Sequence, residues 1–266
     1  MSYVPRFIGP IPELYDRHLG PVIFEPYARD LAARIPSSTR RLLEIAAGTG
    51  RVTRHLLATL PGDAELVATD LNQPMLDEAR RRLPDDPRLR MQVADAQALP
   101  FDDAAFDVVT CQFGLMFVPD KPLALREMRR VLRPGGTLLL STWDVLARNP
   151  ASRMIHELAF GELPENPPTF MQTPFSMPDP IALRGLVEAA GFATVKVETV
   201  AQVGEATSAD DLAIGMVRGN PLWNQLVERG IDGDTFQRRV AESLRDAFGD
   251  APCRSALSAH VATATA

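Results

Sequence analysis

The stretch from residue 40 to residue 53, RRLLEIAAGTGRVT, joins a short apolar run to a glycine-rich turn and an amphipathic segment. A strand, a glycine turn and a helix in this order are typical of a pocket for a nucleotide-like ligand. A dinucleotide fingerprint has glycine at three positions, and here Gly48 and Gly50 occupy the first two whereas Thr53 stands at the third. A Walker-type phosphate loop needs Gly-Lys-Ser/Thr, and GTGRVT has no lysine. The turn therefore favours a ligand without phosphates.

Two aspartates follow the next two predicted strands. Asp70 ends the apolar run ELVATD, at the distance from the turn where an acid can accept hydrogen bonds from both hydroxyls of a ribose. Asp95, in VADAQALPF, follows the third strand and could accept a hydrogen bond from an exocyclic amine such as that of adenine. Each aspartate alone could instead cap a helix. Together with the turn they indicate a site for adenosine.

Alternating strands and helices must position these residues. Helical spacing of apolar residues and Pro/Gly stops predict a parallel sheet with right-handed crossovers over the first half of the chain. The predicted strands are Leu42–Ala46, Leu66–Asp70, Arg90–Ala94, Asp107–Cys111 and Thr137–Thr142, and the predicted helices are Phe24–Ile35, Val52–Thr59, Gln73–Arg82 and Pro122–Leu132.

The second half of the chain is less regular. Residues 161–180 contain six prolines and no periodicity, which predicts a long ordered loop or a lid. The elements predicted after it are a helix at Ile181–Ala190, a strand at Thr194–Val200, helices at Ala209–Arg229 (broken at residues 219–221) and Asp234–Phe248, and a last strand in the tail SALSAHVATATA.

Composition limits the class of protein. The 266 residues are 45% hydrophobic and 23% charged, which is typical of a soluble globular protein. A net charge of -6 argues against nucleic acid as a partner. Cys111 and Cys253 give neither a disulfide framework nor metal-type spacing, so we expect no metal site. The chain has no signal-like start and no long apolar run, so we expect a cytoplasmic protein without a membrane span.

Four segments in order carry a resemblance to a known family: LLEIAAGTG, ATDLNQPML, VADAQALPFDDAAFDVVTCQFGLMFVPD and ALREMRRVLRPGGTLLLSTW. The chain resembles the class I S-adenosylmethionine-dependent methyltransferases, in the branch that includes the ubiquinone/menaquinone-biosynthesis enzymes. The resemblance implies an α/β, Rossmann-like, seven-stranded and mostly parallel sheet. It has helices on both faces, an antiparallel last strand and a helical, Pro-rich cover. It also implies S-adenosyl-L-methionine as cofactor, and this molecule has no phosphates.

The resemblance assigns roles around the turn. Glu44 would anchor the amino end of the methionine moiety, and the backbone at Ala46, Gly48 and Gly50 would line the methionine and the ribose. The family often has glycine where this chain has Ala46. Tyr15 is similar to a tyrosine that closes over the cofactor in related enzymes.

The resemblance also assigns the nucleoside contacts. Asp70 would bind the ribose hydroxyls, Leu71 and Met75 would pack on adenine, and Asp95 with the Ala96 amide would contact the adenine edge.

The acceptor side lies mostly outside the matched segments. Gln112, just past the fourth strand, would face the methyl-donor end. His18 and His156 are candidates for a general base, and no catalytic residue is assigned. Aromatic and methionine residues indicate an apolar or aromatic small-molecule acceptor, or else simply pack the lid onto the sheet: Phe113, Trp143, Phe160, Phe170, Met171, Phe175 and Met177.

We expect a single domain over residues 1–266. Residues 1–39 would form an N-terminal helical cover, residues 40–143 the cofactor-binding core, and residues 144–266 the lid, helices and last two strands on the substrate side. The predicted function is methyl transfer from S-adenosylmethionine to a small acceptor. The alternatives are a non-catalytic S-adenosylmethionine-binding protein and a nicotinamide-dependent oxidoreductase, which Thr53 and Asp95 disfavour.

Overall fold

One sheet organises the protein. The computed structural model describes residues 7–266, and within this range the sheet has seven strands in the order β3-β2-β1-β4-β5-β7-β6. The strands are β1 (Arg41–Ile45), β2 (Glu65–Asp70), β3 (Leu89–Val93), β4 (Phe106–Gln112), β5 (Leu132–Trp143), β6 (Val195–Ala206) and β7 (Cys253–Thr265). Strands β1 to β5 are parallel, and β7 runs antiparallel between β5 and β6. The strand order reverses beside β1, which places a crevice at the carboxyl ends of β1 and β4.

Helices connect and cover the strands. Within the described residues they are α1 (Ile11–Leu14), α2 (Glu25–Ala33), α3 (Arg51–Thr59), α4 (Gln73–Arg82), α5 (Lys121–Val131), α6 (Pro150–Glu162), α7 (Pro180–Ala189), α8 (Ala209–Arg218), α9 (Leu222–Glu228) and α10 (Gly233–Phe248). A π-helical segment, Tyr15–Phe24, joins α1 to α2.

Both faces of the sheet are buried at its centre, around β1 and β4. Because successive side chains of a strand point to opposite faces, Leu42 of β1 packs with Leu56 of α3 whereas Leu43 packs in the cluster that contains Leu125 of α5. All four of these side chains are fully buried. This explains the mostly apolar residues of β1, with Leu42, Leu43 and Ile45 buried, which is typical of parallel strands covered on both faces.

A separate apolar cluster forms the helical cover. It joins Leu19 of the π-helical segment to residues of α6, α8, α9 and α10. The expected fold, with seven strands, an antiparallel last strand and a helical, Pro-rich cover, is thereby confirmed.

Some predicted boundaries were wrong. The helix expected at Phe24–Ile35 begins at Glu25 and is preceded directly by the π-helical segment, in which Pro21 lacks a backbone N–H donor. The strand expected to end at Val200 continues to Ala206, because β7 pairs with it as far as Cys253. The loop expected from residue 161 starts later, since α6 runs to Glu162.

Candidate active site

A chamber of about 900 Å³, open at its mouth, lies at the carboxyl ends of β1, β2 and β4. We call it the first chamber. The turns that follow β1, β2, β3 and β4 contribute to it, and so does the N-terminal segment. Its lining residues are Phe7, Tyr15, Ile45, Ala46, Gly48, Asp70, Leu71, Asn72, Met75, Ala94, Asp95, Ala96, Gln97, Cys111, Gln112, Phe113, Gly114, Phe117, Val118 and Pro119.

The turn after β1 has a left-handed backbone at three positions. The φ angles are 55° at Ala46, 58° at Gly48 and 81° at Gly50. Glycine adopts such angles without strain, whereas alanine does so at a cost. Gly114, on the facing turn, accommodates the extra methyl of Ala46, because a side-chain carbon at residue 114 would overlap it.

Gly50 and Glu44 lie behind the first chamber rather than on its surface. A Cβ at Gly50 would stand 2.7 Å from Leu83 Cδ1, so this glycine lets α3 approach the end of α4. Glu44 is 2% exposed, and its Oε2 accepts a hydrogen bond of 2.7 Å from Thr53 Oγ1. Burial raises the pKa of Glu44 to about 8. Burial thus favours the protonated form of this carboxyl group, and the hydrogen bond from Thr53 fixes its position.

Asp70 connects two turns at the first chamber. Its Oδ2 accepts a hydrogen bond of 2.9 Å from the Gly48 amide, and its Oδ1 accepts one of 2.8 Å from the Asn72 amide. Burial raises the pKa of this carboxyl group, and hydrogen bonds from the Asn72 and Gly48 amides oppose that rise. Each carboxylate oxygen has further lone pairs, so Asp70 can still accept hydrogen bonds from a ligand.

The residues assigned to nucleoside contacts all line the first chamber. Met75 is buried, whereas Leu71 is 52% exposed at the mouth. The Oδ1 atom of half-buried Asp95 accepts a hydrogen bond of 2.8 Å from the Gln97 amide, which fixes the orientation of the carboxylate. Ala96 is buried beside it. The structure thus brings these four residues to the same chamber as Asp70.

Gln112 lines the first chamber at the end of β4. Its Nε2 donates to the Phe24 carbonyl oxygen over 3.3 Å, whereas its buried Oε1 has no hydrogen-bond partner among residues 7–266. An unpaired buried acceptor is costly unless a ligand satisfies it.

A second chamber of about 620 Å³ adjoins the first. The two share Phe7, Tyr15, Phe113 and Phe117, which we call the boundary residues. The other residues that line the second chamber are Leu19, Ile23, Phe24, Trp143, Ser152, Phe170, Met171, Pro174, Phe175, Met216, Asn220 and Leu257. None of the described residues that line it carries a charge.

Aromatic rings determine the shape of the second chamber. Phe113 stacks on Trp143 with ring centroids 3.9 Å apart and planes 4° apart, and Tyr15 stacks on Phe24 at 4.8 Å. Burial raises the pKa of the Tyr15 hydroxyl, so this ring stays neutral.

Five of the seven aromatic and methionine residues predicted for the acceptor wall line this chamber, and two do not. Phe160 is 44% exposed, and Met177 is buried in the cluster against the sheet. The histidines proposed as bases also lie elsewhere. His18 Nδ1 pairs with Asp211 Oδ1 at 2.6 Å, and neither His18 nor His156 lines either chamber.

Sequence reasoning missed several lining residues. Asn72 and Gly114 lie in the same turns as residues to which the family resemblance assigns a role, so these turns could have indicated them. Ser152 and Asn220 come from helices far along the chain, and no motif indicates them.

No group of histidine, cysteine, aspartate or glutamate within residues 7–266 could hold a metal ion. In the same part of the chain, no helix is long and apolar enough to cross a membrane.

Comparisons with known proteins identify the family. Residues 43–140 match the family model described as a methyltransferase domain. The ubiquinone/menaquinone biosynthesis C-methyltransferase of Dinoroseobacter shibae is 35% identical over 175 residues, which cover 60% of this chain and 69% of that protein. The enzyme of the same name from Idiomarina loihiensis is 34% identical over 168 residues, or 58% and 67% of the two chains.

The fold is shared with solved structures of much lower identity. Phosphoethanolamine N-methyltransferase 2 of Haemonchus contortus, in complex with S-adenosyl-L-methionine, superposes with a TM-score of 0.60 at 15% identity. The match covers 95% of this chain and 56% of that chain. Neither the nicotinamide alternative nor the non-catalytic one finds support in these comparisons. The chain is an enzyme with S-adenosylmethionine as its cofactor, and it belongs to the class I S-adenosylmethionine-dependent methyltransferases of the ubiquinone/menaquinone-biosynthesis type.

Proposed function

We propose that the first chamber holds S-adenosylmethionine and that the second holds a small, neutral, apolar or aromatic methyl acceptor. The observation that carries this proposal is the shared boundary: two adjoining chambers meet at four aromatic residues, and the second has an uncharged aromatic lining. A methyl group bound at this boundary would have the cofactor on one side and the acceptor on the other.

The residues of the first chamber fit the cofactor. Asp70, which is 8% exposed, offers a carboxylate to the ribose hydroxyls, and Asp95 offers one to the adenine amine. Met75 and Leu71 supply apolar contacts for the adenine ring. The unpaired Oε1 of Gln112 is an acceptor that a cationic group of the cofactor can satisfy.

Glu44 contributes from behind this chamber. We propose that it stabilises the amino end of the methionine moiety through the turn or through a water molecule, because it lies in β1 directly below the turn. Gly50 contributes by the close approach of α3 to α4 rather than by direct contact.

When bound, the cofactor supplies an electrophilic methyl group on a sulfonium. After transfer of the methyl group, the sulfur leaves as a neutral thioether. The protein then has to align the acceptor and exclude water, and orientation alone can contribute roughly 7–11 kcal/mol. Tyr15, Phe113 and Phe117 keep water from the boundary, and their ring faces favour a nearby cation.

The lining of the second chamber selects against charged acceptors. Burying an unpaired charge among aromatic and aliphatic side chains is costly, and the described lining residues offer no countercharge. The named relatives methylate carbon in quinone biosynthesis, and an aromatic ring of that general kind fits a chamber built from stacked rings.

The two functions divide along the chain within a single domain. Residues 40–143 supply most of the cofactor contacts, whereas the segments 1–39 and 144–266 supply most of the acceptor chamber. The boundary residues belong to both.

A screen with radiolabelled S-adenosylmethionine tests the proposal, with phenols, quinols, amines and fatty acids as acceptors. We expect labelled product from neutral aromatic acceptors and none from charged amines. The variant Ile23→Trp adds an indole to the second chamber alone, and it should abolish methyl transfer while leaving cofactor affinity unchanged.

Val203→Trp is the matched control, because Val203 is 60% exposed on β6 and lines neither chamber. Full activity of the Ile23 variant with an aromatic acceptor would contradict the placement of the acceptor.

A further inference from the structure

Ser152 is a buried polar residue in the apolar second chamber. It lies in the first turn of α6 and is 7% exposed. Among residues 7–266 its hydroxyl has no hydrogen-bond partner, and the hydroxyl oxygen is accessible from the chamber that the side chain lines. A hydroxyl deeper in a helix can bond to a carbonyl of the preceding turn, but Ser152 lies in the first turn of α6 and has no preceding turn of that helix, so its donor is free.

The second chamber has three other side chains with polar atoms: Asn220, Tyr15 and Trp143, whose indole N–H is a second donor in this chamber. Asn220 donates from Nδ2 to the Met216 carbonyl oxygen at 2.6 Å and accepts at Oδ1 from the Leu222 amide at 2.9 Å, which closes the turn between α8 and α9. Tyr15 lines both chambers. Ser152 lines the second chamber only, so a group that it contacts lies away from the cofactor.

A hydroxyl that is open to the chamber and has no protein partner can donate a hydrogen bond to a ligand oxygen. The position of Ser152 in the first turn of α6 adds the positive end of the helix dipole, which favours an oxygen with partial negative charge. The uncharged lining of the chamber requires that this oxygen belong to a neutral group.

We infer that Ser152 is a specificity-determining residue that donates a hydrogen bond to a hydroxyl or carbonyl oxygen of the acceptor. Among neutral aromatic acceptors, Ser152 thereby favours those that place such an oxygen beside the first turn of α6. This inference rests on the proposed function, because it requires the acceptor to occupy the second chamber.

The test compares two probes of similar shape, para-propylphenol and propylbenzene, in the presence of S-adenosylhomocysteine. Trp143 lines the second chamber and is one of two tryptophans, so Trp223→Phe leaves it as the only indole reporter. Binding is followed by the change in Trp143 emission. The variant Ser152→Ala is compared with Ser255→Ala, a buried serine that accepts a hydrogen bond from the Ala151 amide but does not line the chamber.

We expect Ser152→Ala to weaken para-propylphenol binding about threefold to tenfold, which is the range of one net hydrogen bond. Propylbenzene binding should stay within twofold, and Ser255→Ala should change the two probes equally. The inference is overturned if both probes bind the parent protein and Ser152→Ala leaves their affinity ratio unchanged.

The failure of the proposed function looks different. In that case neither probe alters the emission of Trp143, although S-adenosylmethionine still binds, and the acceptor chamber and the role of Ser152 are both refuted.

Discussion

Replacing Glu44 with glutamine should stabilise the protein without ligand, and more so at higher pH. Glu44 is buried in β1 with one hydrogen bond from Thr53 Oγ1. Glutamine has nearly the same shape, and its side-chain oxygen can accept the same bond. The substitution therefore removes a titrating group from the interior with little change in packing.

The magnitude follows from the two pKa values of the carboxyl group. Burial raises the pKa of Glu44 from 4.5 to about 8, and this separation corresponds to about 5 kcal/mol at most. Because the folded-state pKa is the higher one, the folded protein binds the proton more tightly. The favourable contribution is complete below the unfolded-state pKa of 4.5 and is lost as the pH rises toward about 8. At about pH 7 the loss amounts to about 3 kcal/mol.

Urea unfolding at about pH 5 and about pH 8 measures this effect. We expect the free energy of unfolding of the parent protein to fall between the two pH values by more than that of Glu44→Gln, with a difference of about 3 kcal/mol. Glu205→Gln serves as the control, since Glu205 lies at the surface and pairs with Arg254. Equal pH dependence in the parent and the Glu44 variant would refute the assignment of a protonated interior carboxyl group.

Three further predictions concern the two chambers. Asp70→Ala should weaken S-adenosylmethionine binding, measured by calorimetry, about 10- to 150-fold, because hydrogen bonds to a charged group contribute about 1.5–3 kcal/mol. An unchanged dissociation constant in a folded variant would exclude the ribose contact. Asp95→Asn should weaken cofactor binding with little change in the thermal stability of the free protein; a large loss of stability with intact binding would show that the residue only orders its own turn. Replacing residues 165–177 with a Gly/Ser linker should spare cofactor affinity and abolish acceptor methylation, since Phe170 and Phe175 line the second chamber alone; full turnover would show the segment to be a mere connection.

The first chamber could be predicted from the sequence because its parts are local. Each strand ends in a short turn with characteristic residue types. Gly48 permits a left-handed backbone, and Asp70 and Asp95 supply hydrogen-bond acceptors to the first chamber. A parallel sheet then brings the carboxyl ends of its strands to one edge. The order and spacing of the turns were therefore enough to predict which residues meet.

The second chamber could not be predicted in the same way because its walls come from distant segments. Tyr15 precedes the first strand, whereas Phe175 and Met216 follow the fifth, and only the packing of the helical cover brings them together. Aromatic density in the sequence indicated an apolar site but did not say which rings face it.

Helical periodicity explains why Phe160 of α6 does not line the second chamber, although we expected it in the acceptor wall. Ser152, Ile155 and Ala159 are buried and lie on one face of this helix at spacings of three and four residues. Phe160 falls beside that stripe and is 44% exposed. A helix assigned to this segment would have excluded Phe160 from the acceptor wall and indicated Ser152 as a buried residue instead. The Pro-rich residues that follow made the end of this helix difficult to predict.

The two chambers meet at a residue with a strained backbone. Phe113 follows β4 directly and has a φ of 53°, which a residue with a large side chain adopts only when its surroundings require it. Its surroundings do so, because the ring stacks on Trp143 at 3.9 Å and meets Tyr27 edge-on at 5.3 Å. Ala46, with a φ of 55°, provides the same kind of strained turn at the end of β1. The strands on either side of the switch point thus both end in unfavourable backbone geometry, and at Phe113 the ring packing that maintains it also forms part of the boundary between the two chambers.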